Sequence, residues 1–413
     1  MSDGSATAAC PSDWIAMTTA NPTAPRIPWD SRDSRDPYDY YENLRARGDV
    51  VWDENAGTWL VLGYHPAREI LGGTGWSSDP LASPQMRASA TEYLDLSSFG
   101  RNMLFADGPD HTELRGAVRD VFTPGFIAGL REGVQSIASQ VVEYPPAGEP
   151  FDFMADIALP LPIAIIGEWL GLDDASSAVL REESPIIIQM LGAFADVETV
   201  LAGTAAGATL ATELLPLAAD RRSYPGDDLL SLIASDANLS LDDVVTMAFM
   251  VAIAGHETTA NLLGASMLRL LAPRADGSRL ADGIDPGDPA VISELLRLDG
   301  PVLGTARVAT EEHTLGGHTI GEGQTVLIAI AAANRDPQVF VDPTEFRPER
   351  KSSPPLAFGY GAHHCLGSAL AKLETSVAIR EILARRPEVT GPVTWRDTPA
   401  IRGPRSIPMR FQT

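Results

Sequence analysis

Apolar residues recur at helical spacing through most of the chain, and alternating runs interrupt them at only a few places. Pro37 opens a predicted helix that runs over 37–47. Residues 50–52 and 58–62, parted by a polar turn at 54–57, read as a β-hairpin, and a short helix follows over 66–71. Over 72–105 no period survives. Ser, Gly and Pro surround isolated Leu81, Met86, Leu94 and Phe99, so the stretch reads as a long loop and a candidate substrate lid. Helical patterning resumes over 107–122 and continues through 126–142 and 160–170, and 185–215 is unusually apolar.

The longest predicted helix covers 241–271. Ser240 stands at its N-cap position, Asp242 and Asp243 in its first turn, and Pro273 beyond its end. At the usual rise it is about 45 Å long, enough to cross a domain. Residues 273–289 read as a compressed loop, and 302–330 as strands at 305–309, 314–315, 318–320 and 325–330. A last helix follows Cys365, with Leu366, Ala369, Leu370, Leu373, Val377 and Leu383 on its apolar face and Ile379 at the edge of it. The fold class is mainly α with a smaller β region (α+β): one large domain over 29–413 behind a Ser-, Thr- and Pro-rich tail over 1–28.

The 413 residues, 44% of them hydrophobic, suffice for a large core. A net charge of −24 speaks against nucleic acid as a partner. Cys10 and Cys365 are the only cysteines, so no disulfide framework is implied and a reducing, cytoplasmic setting is expected. The longest uninterrupted apolar runs, such as 247–254, fall far short of the ~20 residues a bilayer requires, and no membrane span is expected.

The chemistry gathers around Cys365. Gly359 and Gly361 free the backbone for a tight turn, and a sulfur at the amino end of a helix is favoured as thiolate, the form that ligates metal. Taken alone, the residue also fits a buried structural cysteine, a nucleophile with His363 or His364 as base, or a zinc ligand lacking its usual partners. In the long helix, Met247, Met250 or Val251, Ala254 and Thr258 form one stripe. A Thr258 hydroxyl bonded to the Ala254 carbonyl would loosen the helix there. Glu257 and Thr258 together suit the passage of protons into an apolar pocket. His111 and Arg115, four apart, share a face and can reach one anion, and Glu294 and Arg297 form an i, i+3 pair.

The run Phe358-Gly359-Tyr360-Gly361-Ala362-His363-His364-Cys365-Leu366-Gly367 closely resembles the haem-binding loop of the cytochrome P450 family, Phe-Gly-x-Gly-x-His-x-Cys-x-Gly. Ala254-Gly255-His256-Glu257-Thr258-Thr259 is similar to the family's Ala-Gly-x-(Asp or Glu)-Thr-(Thr or Ser). The resemblance implies haem b (iron protoporphyrin IX) with the Cys365 thiolate as axial ligand. It implies Phe358, Gly359, Gly367 and Ala254 beside the ring, and His111, Arg115, Arg307 and His363 on its propionates. It also makes Glu257 and Thr258 the proton-handling pair and Glu294, Arg297 and Arg350 a structural trio. The implied activity is a soluble, monomeric monooxygenase of bacterial secondary metabolism that inserts one oxygen atom of O2 into a lipophilic small molecule by hydroxylation or epoxidation. Electrons would come from a separate ferredoxin and ferredoxin reductase, docking near Arg115, Arg119 and Lys372. Met250, Val251, Val302 and Ile401 are expected to shape the pocket. A haem-thiolate peroxygenase or isomerase and a non-catalytic haem sensor are the alternatives.

Overall fold

The computed structural model describes residues 36–413 except 55, 94–100, 192–195, 352 and 397–400; the expected tail, Leu94, Phe99 and Phe194 lie outside the described residues. Helix α1 (Tyr38–Arg45) leads into the hairpin β1 (Val50–Asp53) and β2 (Thr58–Val61), then α2 (Tyr64–Gly72). The expected loop over 72–105 is instead partly structured. It contains β3 (Trp76–Ser77) and α3 (Pro84–Tyr93), begun by Pro84 in its first turn. Most of α3 lies exposed, so its sequence carries no apolar period to announce it.

Then come α4 (Gly108–Val118), α5 (Pro124–Gly129), α6 (Arg131–Glu143), β4 (Pro150–Asp152), α7 (Pro160–Leu170), α8 (Asp174–Met190), α9 (Val197–Ser223), α10 (Leu229–Ala234) and α11 (Leu241–Leu271). The helix expected over 107–122 ends at Val118 and tightens into a 3₁₀ turn. The one expected over 126–142 is two helices that meet at Leu130. Beyond α11 lie α12 (Pro289–Asp299), β5 (Thr305–Ala309), β6 (His313–Leu315), β7 (His318–Ile320), β8 (Thr325–Ile328), α13 (Ile330–Ala333) and α14 (Ser368–Ala384). Strand β8 stops short of Ile330, which opens α13. Ile379, expected at the edge of an apolar face, is fully buried because α14 is enclosed by α6, α11 and α12. Strands β9 (Pro387–Val389), β10 (Thr394–Trp395), β11 (Pro404–Ser406) and β12 (Pro408–Phe411) close the chain. The main sheet has the order β1-β2-β8-β5-β3, with only the β2–β8 pair parallel.

Helix α11 organises the core. Its start is fixed by a capping box in which the Ser240 hydroxyl accepts from the Asp243 amide and the Asp243 carboxylate from the Ser240 amide, each at 3.0 Å. Its first half, from Val244 to Ile253, packs into a cluster with α4, α7, α8, α9 and α10. Its second half, from Leu262 to Leu271, packs into another with α6, α7, α12 and α14. Ala254 and Thr258 stand where one cluster gives way to the other, and there the helix is open: Ala254 is exposed and Thr258 half-buried. Among the described residues, α9 alone is long and apolar enough to cross a membrane. Its apolar residues are spread among Thr and Gly, so no uninterrupted run announces it. Here it packs along α8 and α11 and buries Leu210 and Leu214.

Candidate active site

The loop ahead of α14 is shaped by two glycines in the left-handed region, Gly359 at φ 70° and Gly361 at φ 77°. A Cβ on Gly361 would stand 2.4 Å from the Leu71 carbonyl oxygen, so no other residue fits against the end of α2. The Gly359 amide donates to the Leu356 carbonyl and the Cys365 amide to the Phe358 carbonyl, both at 2.8 Å, which folds the loop back on itself. Cys365 precedes the Gly367 N-cap by two residues. A Cβ on Gly367 would meet nothing, so that side of the loop faces open space.

The Cys365 thiol is accessible, yet protein encloses it so closely that burial dominates its ionisation. Burial pushes the thiol up, while the Gly367 amide, Arg115 and Lys372 pull the other way. Burial thus works against the thiolate that the helix end favours, and a metal cation on the sulfur would favour it.

Four of the expected basic groups come together on the same side. The rings of His111 and His363 stack with centroids 4.1 Å apart, and Arg307 is buried nearby with its Nη1 donating only to the Ala306 carbonyl and Thr305 hydroxyl. Arg115 turns its Nη2 to the His364 carbonyl at 2.6 Å and so braces the loop. Burial, then Arg115, lowers the pKa of His111; burial, then His111 and Arg307, lowers that of His363 to about 4, against the pull of Asp107. His111 Nε2 is buried without a hydrogen-bond partner among the described residues. One carboxylate, Asp107, joins this group, taking His363 Nε2 at 3.2 Å and the Ser77 hydroxyl at 2.5 Å. Two guanidiniums and two imidazoles that face one carboxylate among the described residues, beside an accessible thiol, fit a ligand that carries carboxylates and a soft-ligated metal. Sequence reasoning missed Asp107, although an acidic residue directly before a Gly-Pro helix start was a signal to weigh.

On the facing helix the Thr258 hydroxyl donates to the Ala254 carbonyl at 2.8 Å, as the spacing suggested. Glu257 does not face solvent. It is buried, with Arg396 Nη1 at 2.8 Å and Asn261 Nδ2 at 3.2 Å from its Oε2. Arg396 follows β10, and no local pattern could have linked it to α11. Of the expected pocket residues, Val251 and Ile401 lie in the cluster beneath α8, Met250 is buried on α11, and Val302 is half-buried ahead of β5.

Glu294, Arg297 and Arg350 form one network. Arg297 donates to both Glu294 oxygens at 2.7 Å and to the carbonyls of Asn334 and Pro343, and Arg350 Nε reaches Glu294 at 2.9 Å. Burial pushes the Glu294 carboxyl up, but Arg297, the Arg347 amide and Arg350 outweigh it and hold it below its ordinary range. The network ties α12 to the segment that precedes the Cys365 loop.

The family description "Cytochrome P450" matches residues 289–386. The cytochrome P450 monooxygenase PikC of Streptomyces venezuelae is 35% identical over 91% of this chain and 91% of its own length. The 6-deoxyerythronolide B hydroxylase of Saccharopolyspora erythraea is 33% identical over 91% of this chain and 96% of its own. The crystal structure of Mycobacterium smegmatis CYP164A2 superimposes with a TM-score of 0.83 at 28% identity, covering 92% of this chain and 97% of that one.

Proposed function

The chain belongs to the cytochrome P450 family, and from that premise we propose that it hydroxylates or epoxidises a lipophilic small molecule of bacterial secondary metabolism with electrons from a separate ferredoxin and its reductase. It is a monooxygenase whose cofactor is haem b with Cys365 as axial ligand. When bound and supplied with electrons, haem would provide the activation of O2 that places one oxygen atom into a C–H or C=C bond. The observation that carries the reading is the accessible Cys365 thiol amid basic groups short of carboxylates.

The chain's own residues divide the remaining work. His111, Arg115, Arg307 and His363 would hold the two carboxylates of the ring, the guanidiniums by charge and the imidazoles as hydrogen-bond donors. Ala254 leaves space against α11. The Thr258 hydroxyl can exchange its bond to Ala254 for one to a water, and Glu257 passes it protons once it turns from Arg396. Val251, Ile401 and the face of α8 bearing Ile187 and Ile188 exclude water, which suits an apolar substrate. The protein is placed in the cytoplasm and taken to act as a monomer, in keeping with its sparse cysteines and the reducing ferredoxin it requires.

A screen of lipophilic compounds for a low-to-high spin shift, followed by turnover under 18O2 with a surrogate ferredoxin and reductase, tests the reading. One labelled oxygen per product molecule is expected. A product formed without label, or turnover only with added peroxide, would overturn it in favour of a peroxygenase or isomerase.

A further inference from the structure

His256 sits between the residues that face the cleft and takes no part in the chemistry above. Its ring is 1% exposed and held at both nitrogens. Nδ1 lies 3.3 Å from the Ala252 carbonyl and Nε2 lies 3.0 Å from the hydroxyl of Ser184, which is fully buried on α8. A carbonyl can only accept, so Nδ1 carries the proton, Nε2 accepts, and Ser184 donates. Burial keeps the imidazole below its ordinary pKa, with Glu257 and the Ala252 carbonyl opposing and Arg396 and Arg181 adding to the effect. The same Nε2 lies 3.7 Å from Glu257 Oε1. One acceptor nitrogen thus stands between a hydroxyl on α8 and the carboxyl proposed to serve Thr258.

Helix α8 is weak at this point. Pro185 follows Ser184 directly and is inside the helix, so the Arg181 carbonyl loses its helical partner and the helix can bend there. Ile187 and Ile188, just beyond the bend, belong to the cluster that holds Val251 and Ile401. Whatever fills the pocket therefore bears on the segment that carries Ser184.

We propose that His256 is a positioning residue that, through Ser184, couples closure of α8 over the substrate to the freedom of Glu257 to serve Thr258. With α8 closed, the Ser184 hydroxyl occupies Nε2 and Glu257 is left to move between Arg396 and Thr258. With α8 lifted, Nε2 is a bare acceptor beside Glu257; it captures the carboxyl whenever that carries a proton and holds it back from the cleft. Proton supply then follows occupation of the pocket. This rests on the proton-handling role proposed for Glu257.

The test compares Ser184→Ala, Ser184→Thr, His256→Phe and the Ser184→Ala/His256→Phe double variant in haem-loaded protein bound to a ligand that shifts the spin state. Two readouts are taken: peroxide released per O2 consumed, and hydrogen exchange of the α8 amides. Ser184→Ala should raise peroxide and α8 exchange by about threefold to tenfold, the factor carried by one hydrogen bond of ordinary strength, whereas His256→Phe should raise α8 exchange alike but leave peroxide near the wild-type level, because no Nε2 remains to hold Glu257 back. The double variant should exchange no faster than either single variant and return peroxide to near the wild-type level, and Ser184→Thr, which keeps the hydroxyl, should match the wild type in both. Unchanged α8 exchange in Ser184→Ala would overturn the coupling, as would leakage in His256→Phe that Ser184→Ala does not share. Should the wild type yield neither product nor peroxide, the monooxygenase reading fails by itself, while the exchange readout still decides the link between α8 and α11.

Discussion

The two faces of the cleft are built by different means. The Cys365 side is made of backbone: two left-handed glycines, amides folded onto nearby carbonyls, and a loop backed by a buried ion network whose two closest members are three residues apart. The α11 side is made of side chains that hold one another across long stretches of sequence, with Glu257 against Arg396 and His256 against Ser184. A scaffold of the first kind holds one geometry. A set of the second kind can exchange partners, which suits the side where protons must arrive in sequence.

The largest effect is expected on the rigid side. Arg297→Ala leaves the Glu294 carboxylate buried without its bidentate partner and should cost about 3–5 kcal/mol, the usual range for breaking a buried pair at one member. Denaturant unfolding and haem content check this, and near-wild-type values would show that the network is not what holds the loop. Thr258→Ala draws the contrast. It removes a hydroxyl bonded only within its own helix, so the melting temperature and spin-shift titration should hardly change. Product per O2 should fall by about 10²-fold as peroxide takes its place, the scale of a lost proton-transfer group.

Glu374 on α14 sharpens the comparison, because it is a fault in the rigid side: a buried carboxyl whose Oε2 has no partner. Burial raises its pKa well above 4.5. The folded state then holds a proton that the unfolded chain releases, so its penalty is absent below pH 4.5 and grows as the pH rises through the window above it. Glu374→Met should therefore stabilise by about 1–3 kcal/mol at pH 7 and by little near pH 4, as read from melting at the two pH values. A gain independent of pH would point to packing alone. The smallest effect concerns the surface outside the loop. Arg119 is exposed beside Asp120, and Lys372 lies over the Phe358 ring at 5.4 Å. Reversing both charges should slow reduction by ferredoxin about tenfold at low salt and much less at high salt, and unchanged kinetics would remove this face as the docking site.

The same contrast explains what could be read in advance. The Cys365 loop, the capped α11 and the Glu294–Arg297 pair are local, so the requirement for particular residues is written in consecutive positions. Arg396 and Ser184 meet their partners only through the fold, and nothing near them in sequence marks them, while Asp107 is marked only by its place before a Gly-Pro helix start. Helix α3 escaped because an exposed helix needs no apolar period, and Pro84 was its one sign. Ile379 was misplaced because an edge position on an isolated helix becomes interior once three neighbours enclose it.

The central claim is the bond between Cys365 and haem iron, and the most direct measurement is the absorption spectrum of the reduced protein under carbon monoxide. The strongly red-shifted Soret band of sulfur-ligated haem is expected in the wild type and absent in Cys365→Ala. A wild-type band at the position of nitrogen-ligated haem, or a preparation that takes up no haem, would contradict the account.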